Sequence, residues 1–252
     1  MEKESNSTDR ISAIVVIVGT IAMILFNGLA ATGYVGGVTP DVVSAKYPTL
    51  LTPAGYAFSI WSLIYLGLTA FSVFQFSAAN LARYRPVRTL YILSCVLNCA
   101  WIYFWHREQI GICLALISML LATLLFIEIK LRGCRSFAET WLQQAPFGIY
   151  FGWVTAATLV NFLVYLKSVD APIASSPVLA SVLIVAAAIF AVIVRVKLSN
   201  FFYPLAIAWA LTAIAVKQSG NTPIVVAAAF GVVLSLVTAG SFVVNLKDST
   251  SE

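Results

Sequence analysis

Long apolar runs, separated by short clusters of charge, proline and glycine, organise this chain from end to end. A helix needs roughly 20 apolar residues to cross a bilayer. By that measure eight stretches read as spans: 11–34, 53–77, 87–105, 109–129, 144–166, 176–196, 200–216 and 223–246. The seventh is the shortest, and the third starts against a basic loop. The first is too long for a cleavable signal and ends in a Gly/Ala-rich stretch that enters a loop directly.

The connections are too short to hold a second globular domain. The longest, 35–52, contains Gly36-Gly37, Pro40 and Pro48, and loops of this length often serve as lids or binding loops. Pro53 suits the first turn of the second span, where proline forfeits no helical hydrogen bond. Arg83-Tyr84-Arg85-Pro86 reads as a turn, and His106-Arg107-Glu108 as a tight hairpin between spans three and four. Asp170-Ala171-Pro172 and Ser175-Ser176-Pro177 mark an internal boundary. Downstream of it the spans are richer in Ala, Val and Ile and poorer in polar side chains. The halves show no internal repeat of the kind common in secondary transporters. Small-residue runs at 186–188 and 227–229 permit close helix approach, within the chain or at a seam between two copies.

Composition agrees with the pattern: of 252 residues, 61% are hydrophobic and 10% charged, against about 25% charged in soluble domains. An all-α integral membrane fold follows. Eight spans put both termini on one side with the loops after spans two, four and six. That side holds eleven of the 15 Lys and Arg (Lys3, Arg10, Arg83, Arg85, Arg88, Lys130, Arg132, Arg135, Arg195, Lys197 and Lys247), leaving Lys46, Arg107, Lys167 and Lys217 opposite. The positive-inside rule makes it cytosolic. The net charge of +5 is thereby topological, and no nucleic-acid partner is needed to explain it. Cys95, Cys99, Cys113 and Cys134 lack the spacing of a zinc site and read as small buried hydrophobes. His106, at a hairpin turn, reads as a solvated polar residue. No metal or cofactor is implied.

Three stretches set polar aromatics inside apolar sequence: Pro53 to Tyr65, Leu97 to Trp105, and Tyr150 to Thr158. Helical spacing groups Phe58, Trp61 and Tyr65 on one face, Cys95, Asn98 and Trp105 on another with Trp101 beside it, and Tyr150, Trp153, Ala157 and Asn161 on a third. Trp105 and Trp141 lie near span ends, where tryptophan forms the interfacial belt. Trp61 falls eight residues after Pro53, about 12 Å along a helix, and Trp153 is similarly deep. An indole N–H at that depth needs a protein or ligand partner. Asn98 reads either as part of a cavity or as an amide bonded to a neighbouring helix.

These motifs resemble the translocator-protein family, TspO/MBR or tryptophan-rich sensory proteins. Pro53, Gly55, Tyr56, Phe58, Trp61 and Tyr65 match the family's helix-two pattern, Asn98 and Trp101 its helix-three pattern, and Tyr150, Trp153, Ala157 and Thr158 its helix-five pattern. The resemblance runs in order from Ile11 to Lys167. It departs in having Pro53-Ala54 for two prolines, one residue fewer between Phe58 and Trp61, Pro146 four residues before Tyr150, a loop reduced to Lys46-Tyr47-Pro48, and three further helices. It implies a five-helix core over 1–167 with a three-helix extension over 168–252. It also implies an intramembrane cavity for a porphyrin-class ligand lined by Tyr56, Phe58, Trp61, Tyr65, Asn98, Trp101, Tyr150, Trp153 and Ala157. Leu163, Tyr165 and Lys167 fit a sterol-associated pattern at the end of helix five.

Chemistry narrows the function classes. No span carries an ionisable residue near its midpoint, which argues against ion-coupled transport. No Ser–His–Asp arrangement, metal-ligand cluster or phosphate-binding loop appears, so hydrolytic and phosphoryl-transfer reactions are not expected. The resemblance leaves light-driven porphyrin breakdown as the one enzymatic option. The leading reading is a receptor or carrier for a planar or sterol-like hydrophobic molecule. The alternatives are an uncoupled transporter using core and extension together, and a membrane sensor or scaffold.

Overall fold

In hydrocarbon, only a helix or a closed barrel satisfies all its backbone donors and acceptors, and helices are what the apolar runs form. A computed structural model describes residues 2–77, 80–133 and 136–248, with side chains described from Ser7 to Ser241. Cys134 and Arg135 lie outside the described residues, and the side chains of Lys3 and Lys247 outside the described side chains. The helices are α1 (Glu2–Ala31), α2 (Pro40–Lys46), α3 (Ile60–Phe74), α4 (Arg85–His106), α5 (Ile110–Lys130), α6 (Phe137–Glu139), α7 (Ala145–Ser168), α8 (Pro177–Leu198), α9 (Phe202–Lys217) and α10 (Thr222–Asp248). Short 3₁₀ turns occupy Gly55–Ser59 and Pro172–Ser175, and a π turn, Thr140–Gln144, joins α6 to α7.

Seven helical stretches among the described residues are long and apolar enough to span a membrane. The remaining predicted span became α9, whose 16 residues rise about 24 Å. The chain is an all-α, multi-pass integral membrane protein. Residues such as Leu25, Leu66, Val73, Val178, Val196 and Val226, each more than 60% exposed, form surfaces that only lipid would cover.

The residues group into two packing units: Met1–Lys46 with Trp61–Phe147, and Tyr47–Ile60 with Gly148–Glu252. In the first, α4 packs on α1, α2 and α5. Association between helices in lipid relies on close packing and interhelical hydrogen bonds, and α1, α3 and α4 supply both. Thr20 Oγ1 lies 2.7 Å from both Ser72 Oγ and Tyr91 OH, all three buried. Gln75 donates to the Ala13 carbonyl at 3.1 Å, and Asn27 to Asn98 Oδ1 at 2.7 Å.

The 35–52 loop contains α2, and part of it is secured within this unit. Gly36 and Gly37 take positive φ angles. Trp105 Nε1 donates to the Pro40 carbonyl at 3.0 Å, and Lys46 pairs with Glu108. Two expectations change here. Trp105 is buried at 4% exposure instead of lying in a belt, because its N–H is used on the loop. His106 is 7% exposed, its Nδ1 donating to Ile102 O at 2.7 Å, because the hairpin folds it inward under Gly36. Trp141, in contrast, is 51% exposed.

Pro146 accounts for the π turn. It has no N–H to give the carbonyl four residues back, and its ring would crowd that turn; a wider turn just upstream accommodates both. Gln143, within the π turn, accepts from Tyr84 OH at 2.7 Å and donates to Leu131 O at 2.8 Å.

In the second unit α8, α9 and α10 pack on one another through small residues. Ala187, Ala188, Ala191, Ala206, Ala213 and Ala228 are all buried. The alanine runs that could have met a second copy thus place Ala187, Ala188 and Ala228 inside the chain. Gly231 faces Leu211 and Ala188, and Gly152 faces the Tyr203 carbonyl and Ala206. Asn200 starts α9: its Oδ1 accepts from the amides of Phe202 and Tyr203 at 2.9 and 3.3 Å, satisfying donors that a helix start leaves open.

Candidate functional site

The sequence-derived site residues divide between the two units. Trp61, Tyr65, Asn98 and Trp101 belong to the first. Trp61 is the second residue of α3 and stacks on Tyr65, ring centroids 5.5 Å apart and planes 22° apart. Both rings are half-buried. Trp101, also half-buried, stacks on Trp105 with the same spacing and tilt. Asn98 is 1% exposed and accepts the amide of Asn27, an interhelical bond of the kind intramembrane amides commonly make.

Tyr56, Phe58, Tyr150, Trp153 and Ala157 belong to the second unit. Tyr150 and Trp153 are buried on α7 at 0% and 4% exposure, with Ala157 half-buried one turn further along. Phe58 meets Trp153 edge-on, centroids 6.0 Å apart. Leu163 is buried, Tyr165 half-buried and Lys167 exposed in the last turn of α7.

The segment holding Tyr56 and Phe58 differs from expectation. The α-helix begins at Ile60, not at Pro53, and Gly55–Ser59 is a 3₁₀ turn. Phe58 therefore does not share an α-helical register with Trp61 and Tyr65, since a 3₁₀ turn takes three residues and not 3.6. What holds this turn is α9. Ala54 N–H donates to Ala213 O at 3.0 Å, Trp209 Nε1 to Ala57 O at 3.1 Å, and Gln218 Nε2 to Thr49 O at 3.1 Å. The Tyr56 ring meets Trp209 edge-on at 5.4 Å. Residues 209 and 213 lie one turn apart on one face of α9, and Gln218 follows its last residue, so this helix and its C-cap steady the 49–57 stretch.

Trp209 supports this stretch, where the sequence alone assigns it no role beyond packing or a kink. Its available signal was a single tryptophan in an otherwise alanine-rich span. Tyr203 is similar: buried, with its hydroxyl donating to Thr155 Oγ1 at 2.8 Å, where Gly152 leaves room for the α9 backbone.

Inside the second unit, a cavity lined by Ala156, Leu159, Ile184, Ala187, Ile207 and Leu211 measures about 10 Å³. That is room for roughly one water molecule and far below the roughly 300 Å³ of small ligand sites. This cavity is thus packing space and not a ring-binding pocket. Among the described residues, no three His, Cys, Asp or Glu side chains gather to hold a metal. Cys95 and Cys113 are buried thiols, and Cys99 is half-buried.

No curated protein and no solved structure is a significant match to the chain. The sequence model of one family does match: that described as TSPO-like protein, over residues 13–242, which includes every aromatic stretch above and runs through α9 into α10. With so much of its length covered, and with the helices and aromatic motifs in place, the chain belongs to the TSPO-like family.

Proposed function

We propose that this protein is a membrane receptor or carrier for a planar or sterol-like hydrophobic molecule of the porphyrin class, with both termini in the cytosol. In this reading residues 1–167 are the five-helix core and 168–252 an extension that supports it. The observation that carries the reading is the family match across all three polar-aromatic stretches. The half-buried rings of Trp61 and Trp101 and the Phe58–Trp153 edge contact are consistent with it. Flat ligands stack on such rings, and a few hydroxyls or amides orient them. A sterol, if taken, would meet Leu163, Tyr165 and Lys167.

One observation favours the alternative of passive transport by core and extension together. The α9 helix is hydrogen-bonded to the stretch that carries Tyr56 and Phe58, so movement of α9 would move those rings. Reconstitution in liposomes separates the readings. A receptor shows saturable protoporphyrin IX or cholesterol binding without flux, and a carrier shows flux down the ligand gradient. Absence of saturable binding of either ligand to folded protein would refute both.

A further inference from the structure

At one end of the first unit, a polar cavity of about 360 Å³ is lined by Thr8, Asp9 and Ser12 of α1 and by Arg85, Arg88 and Thr89 of α4. Its volume lies within the range of small-ligand sites, about 300–1,000 Å³. Among the described side chains of its wall, two guanidinium groups face one carboxylate. Arg85 holds Asp9 through two bonds, Nε to Oδ1 at 2.7 Å and Nη2 to Oδ2. Arg88 is 2% exposed and fixed from behind, its Nε donating to Gln75 Oε1 at 2.8 Å and its Nη2 to the Leu81 carbonyl. Its Nη1 donates to Ser12 Oγ at 3.2 Å and lies 3.4 Å from Asp9 Oδ1, both on the cavity side.

Three further features point to an oxyanion. Rigidly held guanidinium groups match the oxygens of a phosphate and can bind them in pairs. Arg85 and Arg88 lie in the first turn of α4, whose 22 residues direct the positive end of the helix dipole there, and Tyr84 gives no side-chain cap. Thr8, Ser12 and Thr89 supply hydroxyls. Immediately beyond the cavity, α1 exposes Ile11, Ile14, Val15 and Val18 at 42–61%, a surface suited to acyl chains. Basic pockets between helices at a membrane face commonly take lipid headgroups.

We propose that this cavity binds a phosphate oxyanion through Arg85 and Arg88, with Thr8, Ser12 and Thr89 completing the site. The oxyanion is carried by an anionic phospholipid headgroup or comes free from solution. The proposal stands apart from the aromatic ligand reading and does not depend on it.

The test is thermal unfolding of the purified full chain in a neutral detergent, with dioctanoyl phosphatidic acid, dioctanoyl phosphatidylcholine, or inorganic phosphate against chloride at matched ionic strength. Phosphatidic acid is expected to raise the melting temperature saturably and phosphatidylcholine not. If inorganic phosphate alone reproduces the shift, the oxyanion can come from solution; if only the lipid does, a headgroup is required. Arg88 is buried, so the main variant is Arg85→Gln, whose side chain is 56% exposed, with Thr89→Val beside it. Arg85→Gln should lose at least tenfold in apparent affinity, the scale of one charge-assisted hydrogen bond. Arg83→Gln, a cation paired with Glu139 and not lining the cavity, should lose none. Absence of a saturable shift with any phosphate probe, or equal affinity in Arg85→Gln and the unaltered protein, would overturn the proposal. An equal loss in Arg83→Gln would overturn it too.

Discussion

Replacing Trp209 separates what its ring does from what its N–H does. Trp209→Phe keeps an aromatic ring facing Tyr56 and removes the donor that bonds Ala57 O at 3.1 Å. That carbonyl is not left bare, because the Ile60 amide also bonds it. The loss is then one ordinary hydrogen bond, about 1 kcal/mol. Trp209→Ala removes the edge-on ring contact as well, adding about 0.5–1.5 kcal/mol. For a chain of this size each kcal/mol is worth roughly 2–4 °C in melting temperature. Thermal unfolding in detergent should therefore rank the proteins as unaltered, Trp209→Phe, Trp209→Ala, with steps of a few degrees. A cycle with Tyr56→Leu isolates the ring term: the Ala-over-Phe penalty should shrink when Tyr56 is gone. If Trp209→Ala melts with the unaltered protein, or if the penalty is the same with and without Tyr56, α9 does not steady the 54–59 turn and the reasoning fails.

Other consequences follow from contacts within each unit. Gly152→Ala puts a methyl 2.7 Å from the Tyr203 carbonyl, a backbone atom that cannot yield cheaply, whereas at Gly231 the nearest atom is the flexible end of Leu211. Overpacking costs about 1–3 kcal/mol, so Gly152→Ala should lower the melting temperature more than Gly231→Ala, and equal effects would contradict this packing. Tyr91→Phe removes a hydroxyl from a cluster in which Thr20 and Ser72 still bond each other. A loss near 0.6 kcal/mol is expected, and a loss above about 2 kcal/mol in a denaturant titration would mean the cluster is not redundant. Trp105→Phe releases Pro40 O, so limited proteolysis of the 35–52 loop should accelerate; an unchanged cleavage rate would show that the other contacts suffice.

The apolar runs announced the helices because crossing length is a hard constraint: the 87–105 and 109–129 runs became Arg85–His106 and Ile110–Lys130. What the runs did not announce came from contacts between distant residues. Periodicity placed Phe58 on an α-helix, yet the donors of Ala54 and Trp209 are spent on bonds that hold a 3₁₀ turn instead. Trp105 and His106 looked peripheral by position, and only the folding back of the 35–52 loop buries them. The aromatic motifs were legible because polar rings in apolar sequence are unusual. Asp9 was not singled out as important, since nothing in a short polar tail tells that a carboxylate will meet two arginines some 76 and 79 positions away. Trp209 likewise carried no local mark of its partner at Ala57.

The most direct test of the functional reading is a titration of the purified protein with protoporphyrin IX, following tryptophan quenching, beside the double variant Trp61→Phe, Trp153→Phe. The two indoles lie in different packing units and are named by separate motifs, so removing both bears on the ligand reading as a whole. The account predicts saturable binding in the unaltered protein and its loss in a variant that still unfolds cooperatively. Saturable binding of equal affinity in both proteins, or none in either, would contradict it.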